Sequence, residues 1–270
     1  MLTTERAVLI RYTRDGQPRR GSGLRVGDQF VLTAAHCTMG ADHKVVIGGQ
    51  EYVAELHVRS ANPAVDMGVM LAPELSAVDS LRCAYVDRAV STRLTGCQAL
   101  GFPVWKGNPG HPRLAQVSGY VPTAEGLNPY EASVPGRLLT LKITDPEAQG
   151  QPVPAGDLDD RLWAGMSGAV VTTDDFIIGV VRSHNLAEGA RSLTVTPVDA
   201  IASLPEDEAT QFWAALGVDD PRALPVLPLS ATSAVASPDQ PITGLTRKQR
   251  PYDIGRDDPS PERFYKTTER

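Results

Sequence analysis

Val31-Leu32-Thr33-Ala34-Ala35-His36-Cys37 is an apolar run that ends in a histidine, and its reading decides the fold once two further segments are set beside it. Downstream, Ala64-Val65-Asp66-Met67-Gly68-Val69-Met70-Leu71 puts a carboxylate directly ahead of a run suited to a buried strand. Further on, Trp163-Ala164-Gly165-Met166-Ser167-Gly168-Ala169-Val170 sets a serine in a Gly-x-Ser-Gly turn before a third apolar run. A serine hydroxyl is a weak nucleophile at neutral pH and needs a positioned base to take its proton. Imidazole titrates in the right range for that task. A buried carboxylate on the other ring nitrogen holds the tautomer and stabilises the imidazolium that forms. This chemistry assigns His36 as base, Asp66 as its orienting carboxylate and Ser167 as nucleophile. Backbone N–H groups of the glycine-containing turn, from Gly165 and Ser167, suit the negative charge that develops on an attacked carbonyl oxygen.

Singly, each residue has a plainer reading. Gly-x-Ser-Gly is a common turn, His36 fits a satisfied core histidine, and Asp66 fits the cap of a turn after Asn62-Pro63. In the order His, Asp, Ser, each with its flanking residues, the three segments resemble the trypsin-like (chymotrypsin-fold) serine peptidases. The resemblance runs over roughly residues 7 to 205. It implies an all-β fold of two six-stranded antiparallel β-barrels with a C-terminal helix packed on the second barrel. It also implies a serine endopeptidase that works through an acyl-enzyme, with no metal and no organic cofactor. His43, His57, His111 and His184 lack a comparable context and default to surface or structural roles, His184 excepted as described below.

The chain has 270 residues, 41% of them hydrophobic and 21% charged, ample and ordinary for a core-forming globular fold. A formal net charge of −6 gives no electrostatic reason to expect nucleic acid or an anionic membrane as partner. No run approaches the roughly 18 apolar residues of a membrane span. The N-terminus, Met1 to Arg6, passes straight into a strand-like run without the apolar core of a signal peptide. Of three cysteines, Cys37 lacks the partner that secreted relatives place shortly before the histidine strand, and Cys83 and Cys97 are most simply reduced thiols. The expectation is a cytoplasmic protein.

Short β-rich runs bounded by turn residues recur at 7–12, 23–26, 29–34, 44–47, 51–59 and 67–71. A second set follows at 96–102, 113–121, 138–143, 169–171, 176–182 and 192–196. The expected organisation is a peptidase domain over 1–218, with barrel 1 about 1–95, barrel 2 about 96–205 and a helix about 206–217. His36 and Asp66 then come from the first barrel and Ser167 from the second, with the site in the cleft between them. Residues 144–160 read as an exposed loop over that cleft. Residues 219–270, rich in proline, serine and charge, read as a disordered tail or linker that offers a docking segment for a regulatory or defence-system protein.

Met166 stands where secreted relatives carry an aspartate that pairs with a freshly cut N-terminus. Activation by trimming is therefore not expected. By position in the resemblance, Arg161 falls near the base of the specificity pocket, and Arg182, Ser183 and His184 along its wall. Such a lining favours an acidic residue before the scissile bond. The serine motif is similar to peptidase domains of actinobacterial proteins, which implies limited regulatory proteolysis of a protein substrate in the bacterial cytosol, in stress or antiviral defence. The competing class is an inactive trypsin-like fold that serves as a protein-binding module.

Overall fold

Asp15-Gly16 starts the fold. Both residues hold positive φ, 51° and 68°, the backbone that a two-residue type I′ turn needs. Strand β1 (Ala7–Arg14) therefore returns as β2 (Gln17–Gly27) in an antiparallel hairpin that begins six residues earlier than the hydrophobicity of 23–26 suggests. The computed structural model describes residues 3–107, 111–124, 138–145, 163–184, 189 and 191–228.

Strands β3 (Phe30–Thr33), β4 (Ala41–Ile47), β5 (Gln50–Val53), β6 (Glu55–Arg59) and β7 (Gly68–Leu71) complete the first sheet, ordered β5-β4-β1-β2-β3-β7-β6. Its two edges, β5 and β6, are consecutive segments separated by Ala54 alone. At that bend the Ala54 N–H donates to the His43 carbonyl at 3.1 Å. The run 51–59, which reads as one strand, is thus a bent strand whose halves pair with opposite ends of the sheet and curl it into a barrel.

Strands β8 (Arg82–Cys83) and β9 (Tyr85–Val86) come next, then β10 (Arg93–Gly101), β11 (Ala115–Pro122), β12 (Leu139–Ile143), β13 (Val170–Thr173), β14 (Phe176–Ser183) and β15 (Ser192–Pro197). Pairing in the order β13-β10-β11-β12-β15-β14, with β14 returning to β13, closes a six-stranded antiparallel barrel that leaves no free edge among these strands. The architecture is the expected all-β, chymotrypsin-like double barrel. The second sheet begins earlier than residue 96, because β8 pairs in parallel with β14.

Each barrel has its own core. Ile10, Leu24, Leu32, Met67 and Met70 fill the first, and Leu139, Leu141, Met166, Ile178 and Leu193 the second. Helix α1 (Glu206–Ala215) carries three acidic residues in its first turn, where the helix dipole favours them. Its buried Phe212 and Trp213 join the core of the first barrel. That corrects the expected packing on the second barrel. Between the barrel and α1 the chain makes a 3-10 turn over Val198–Ser203.

The chain does not lose order at 219. Pro221–Ala223 form a 3-10 turn, and β16 (Val226–Leu227) pairs in parallel with β9, burying Leu227 in the core of the second barrel. The burial of Leu227 and the backbone hydrogen bonds of Tyr85 and Asp87 to the Pro225 and Leu227 carbonyls hold this proline-rich segment against the composition-based reading. Residues 229–270, and with them the rest of the expected tail, lie outside the described residues. Among the described residues no helix is long and apolar enough to cross a membrane.

Candidate active site

Strand β3 ends at Thr33, and the chain tightens into a 3-10 turn, Ala35–Thr38, that carries His36. Asp66 sits in the loop before β7 and is 8% exposed. The turn after Asn62-Pro63 is capped by Asn62 itself, whose side-chain oxygen accepts the Ala64 N–H at 2.9 Å. Asp66 is thereby left to face His36. Its Oδ2 accepts from the imidazole Nδ1 at 2.7 Å, and its Oδ1 accepts from the His36 backbone N–H at 3.0 Å. A carboxylate that grips both the ring and the main chain of one histidine fixes the ring's tautomer and its rotation together.

Burial of the imidazole works against its positive charge. No single contact exceeds that effect, but the hydrogen bond to Asp66, the Cys37 sulfur and the Asp66 charge together outweigh it and hold His36 above the ordinary imidazole value. Burial likewise pushes the Asp66 carboxyl up, but the His36 hydrogen bonds and the positive charge of Arg182 hold it below its ordinary value.

Ser167 is presented by a turn that both barrels hold. The Met166 N–H closes on the Trp163 carbonyl at 2.9 Å, and φ at Gly165 is +90°, the type II form that requires glycine at the third position. The Ala164 carbonyl accepts the Val104 N–H at 2.8 Å, which directs the Gly165 N–H to the opposite side. Among the described residues neither the Gly165 nor the Ser167 N–H donates to a protein acceptor. At Gly168, φ +88°, a Cβ would stand 2.1 Å from the Ser22 carbonyl oxygen and 2.2 Å from Thr33 Oγ1. The two barrels approach each other through that missing side chain.

Ser22, on β2, is the positioning residue that sequence reasoning missed. Its buried hydroxyl donates to the Gly165 carbonyl at 2.6 Å and accepts the Phe102 N–H at 2.9 Å, while its own N–H donates to the Ser167 carbonyl at 2.8 Å. The signal was present in Gly21-Ser22-Gly23, since glycines inside a strand mark close backbone approach. Gly21 also makes room for Cys37, whose Sγ would lie 2.5 Å from a Cβ there.

His36, Asp66, Ser167, Arg182 and Ser183 line one cleft of about 470 Å³, with Asn62 and Pro63 also in its wall. The structure thus brings His36, Asp66 and Ser167, expected as base, carboxylate and nucleophile, into one cleft with two of the four residues expected at a substrate pocket. His184 does not line this cleft; its Nε2 lies 3.2 Å from the Gly189 carbonyl. Arg161 lies outside the described residues, as do 146–160 of the expected loop. The Ser167 hydroxyl is not hydrogen-bonded to His36; it donates to the Arg182 carbonyl at 3.3 Å. Met166 is fully buried against Gly101 and brings no charge to its position. His43 stacks on Tyr12 and His57 leans on Phe30, both away from the cleft. Among the described residues no cluster of three or more His, Cys, Asp or Glu side chains is placed to hold a metal ion.

No protein-family model matches the chain, and no curated protein matches it in sequence. Solved structures do match it in shape. The active form of the Rv3671c protease from M. tuberculosis superposes with a TM-score of 0.51 at 19% identity, over 81% of this chain and 84% of that one. An inactive form of the same protease, carrying a serine-to-alanine mutation, gives 0.52 at 18% identity over 77% and 88%. The chain has the trypsin-like serine peptidase fold.

Proposed function

We propose that the chain is a serine endopeptidase that cleaves protein substrates through an acyl-enzyme. The observation that carries this reading is the double grip of Asp66 on His36 in the same cleft as Ser167. The Ser167 hydroxyl leaves the Arg182 carbonyl, at a cost of about 1 kcal/mol, and turns to His36 Nε2. Its oxygen attacks the substrate carbonyl carbon as its proton passes to Nε2. The Gly165 and Ser167 amides receive the oxyanion. Collapse of the tetrahedral intermediate breaks the peptide C–N bond, and His36 returns the proton to the departing amine. Water, deprotonated in turn by His36, then hydrolyses the ester and regenerates Ser167.

Arg182 and Ser183 wall the cleft, and Arg182 directs its charge at Asp66. The reading extends to limited cleavage of one protein partner in a bacterial cytosol, in stress or antiviral defence. Three free, buried thiols are in keeping with a reducing compartment. The experiment is labelling with a fluorophosphonate probe followed by cleavage of a diverse peptide library. Wild type labels and cuts, and Ser167→Ala does neither. The second reading, an inactive fold used as a binding module, is favoured by the Ser167 hydroxyl being bonded to Arg182 rather than His36. A wild type that neither labels nor cuts supports it.

A further inference from the structure

On the β2 side of Ser167 lies a second cleft, of about 580 Å³, that shares no lining residue with the first. Its walls come from β1, β2, β4 and β5 of the first barrel and from Val104 and Pro112. Two backbone hydrogen bonds fix its place beside the reacting centre. Ser22 N–H donates to the Ser167 carbonyl, and Val104 N–H to the Ala164 carbonyl next to Gly165. Arg20 precedes Ser22 by two residues on β2, so its Cα stands about 7 Å along the strand from the residue that touches Ser167.

The cleft carries more positive charge than its own carboxylates neutralise. Four cations line it, Arg11, Arg19, Arg20 and Lys44, against Asp42 and Glu51. Glu51 is taken by Arg11 and by Lys44, the latter at 3.2 Å. Among the described residues no carboxylate forms an ion pair with Arg19 or Arg20. In the β1–β2 register Arg20 stands directly opposite Arg11. Like charges in directly opposed cross-strand positions destabilise a sheet. Burial, with the Arg11 charge added, holds the Arg20 guanidinium below its ordinary value. This surplus sits on a chain whose net charge is −6, so it is local and not compositional. An arginine fork matches a carboxylate in two parallel hydrogen bonds, which gives such a pair geometry as well as charge.

We infer that Arg20, with Arg19 beside it, is a specificity-determining subsite for an acidic substrate residue a few positions from the bond cut, on the β2 side of Ser167. The inference rests on the peptidase reading and names a substrate feature for it: an Asp or Glu side chain seats its carboxylate on Arg20 and relieves the Arg11–Arg20 repulsion. Arg11 stays engaged by Glu51 and shapes the wall.

Binding tests the subsite without turnover, so its failure is distinct from failure of the peptidase reading. Fluorescein-labelled octapeptides, each differing from a neutral parent by one Asn→Asp change, are titrated onto Ser167→Ala protein and followed by anisotropy. At one position the Asp peptide is expected to bind about tenfold tighter than its Asn partner, as a charge-assisted hydrogen bond allows. The preference is expected to fall below about twofold in Ser167→Ala/Arg20→Gln and to shrink as salt screens the pair. It is expected to persist in Ser167→Ala/Arg14→Gln, which alters a cation at the tip of the same hairpin. Arg20→Gln removes a like-charge pair and is expected to melt no lower than its parent; Arg19→Gln, at an exposed position, reads the same site independently. Equal binding of Asp and Asn peptides at every position, or a preference that survives loss of both arginines, overturns the inference.

Discussion

Ser22 Oγ lies 2.6 Å from the Gly165 carbonyl oxygen, so a side chain of the first barrel holds the turn that presents Ser167 from the second. The same hydroxyl accepts the Phe102 N–H at the end of β10. One fully buried oxygen thus ties three segments that a flat reading of the chain keeps 80 and 143 residues apart.

Ser22→Ala leaves a buried carbonyl and a buried amide without their partner, which costs about 1–3 kcal/mol. Urea denaturation is expected to show that loss with an unchanged slope. Because the loss falls on the Gly165 turn, kcat/KM on any peptide found to be cut is expected to drop about tenfold or more. A stability loss with kcat/KM intact would separate Ser22 from the reacting centre.

Asp66→Asn keeps the shape of the site but removes the charge that His36 leans on. Peptidase turnover is expected to fall by about 10⁴-fold. The wild-type rate is expected to rise with pH, with its inflection above the unperturbed imidazole value of about 6.5, since only neutral His36 takes the serine proton. Histidine NMR is expected to show the His36 titration moving down in the Asn variant.

The same pair predicts how stability depends on pH. His36 titrates higher folded than unfolded, so its contribution is full below about 6.5 and fades as pH rises through the raised folded value. Asp66 titrates lower folded than unfolded, so its contribution is present above its ordinary value of about 4 and is lost as pH falls through the depressed one. Thermal melts of wild type minus Asp66→Asn across pH are expected to show the difference largest between those limits.

Gly168→Ala and Gly49→Ala place a methyl group on backbones of nearly equal φ, +88° and +89°. Both incur left-handed strain of about 1–2 kcal/mol. Only at Gly168 does the methyl group meet the Ser22 carbonyl and Thr33, while the space at Gly49 is open. Gly168→Ala is expected to abolish activity and destabilise well beyond Gly49→Ala, as calorimetry of the two would report.

Leu227 is 3% exposed against the core of the second barrel. Leu227→Ala is expected to cost about 2–5 kcal/mol, the range for emptying a buried leucine site. Ending the chain after residue 218 is expected to lower the melting temperature, whereas ending it after 228 retains β16. A chain cut at 218 that melts like the longer one would contradict the pairing of β16 with β9.

By itself the sequence determined the fold class and singled out His36, Asp66 and Ser167, which the folded chain brings to one cleft. Apolar runs that end in His36, follow Asp66 and follow Ser167 carry their own strand pattern, and local turn chemistry such as Asp15-Gly16 places the hairpins. These are short-range signals, readable within a few residues. Only the tertiary structure decided the rest. The bend at Ala54 that curls the first sheet, the burial of Phe212 and Trp213 in the first barrel's core, and the capture of Leu227 by β9 all depend on packing between residues far apart in the chain. So do the bridge from Ser22 to Gly165 and the placing of the Arg20 charge opposite Arg11. A serine in a strand and an arginine in a hairpin look ordinary in sequence. Their roles arise from which buried carbonyl or which like charge the folded chain sets against them.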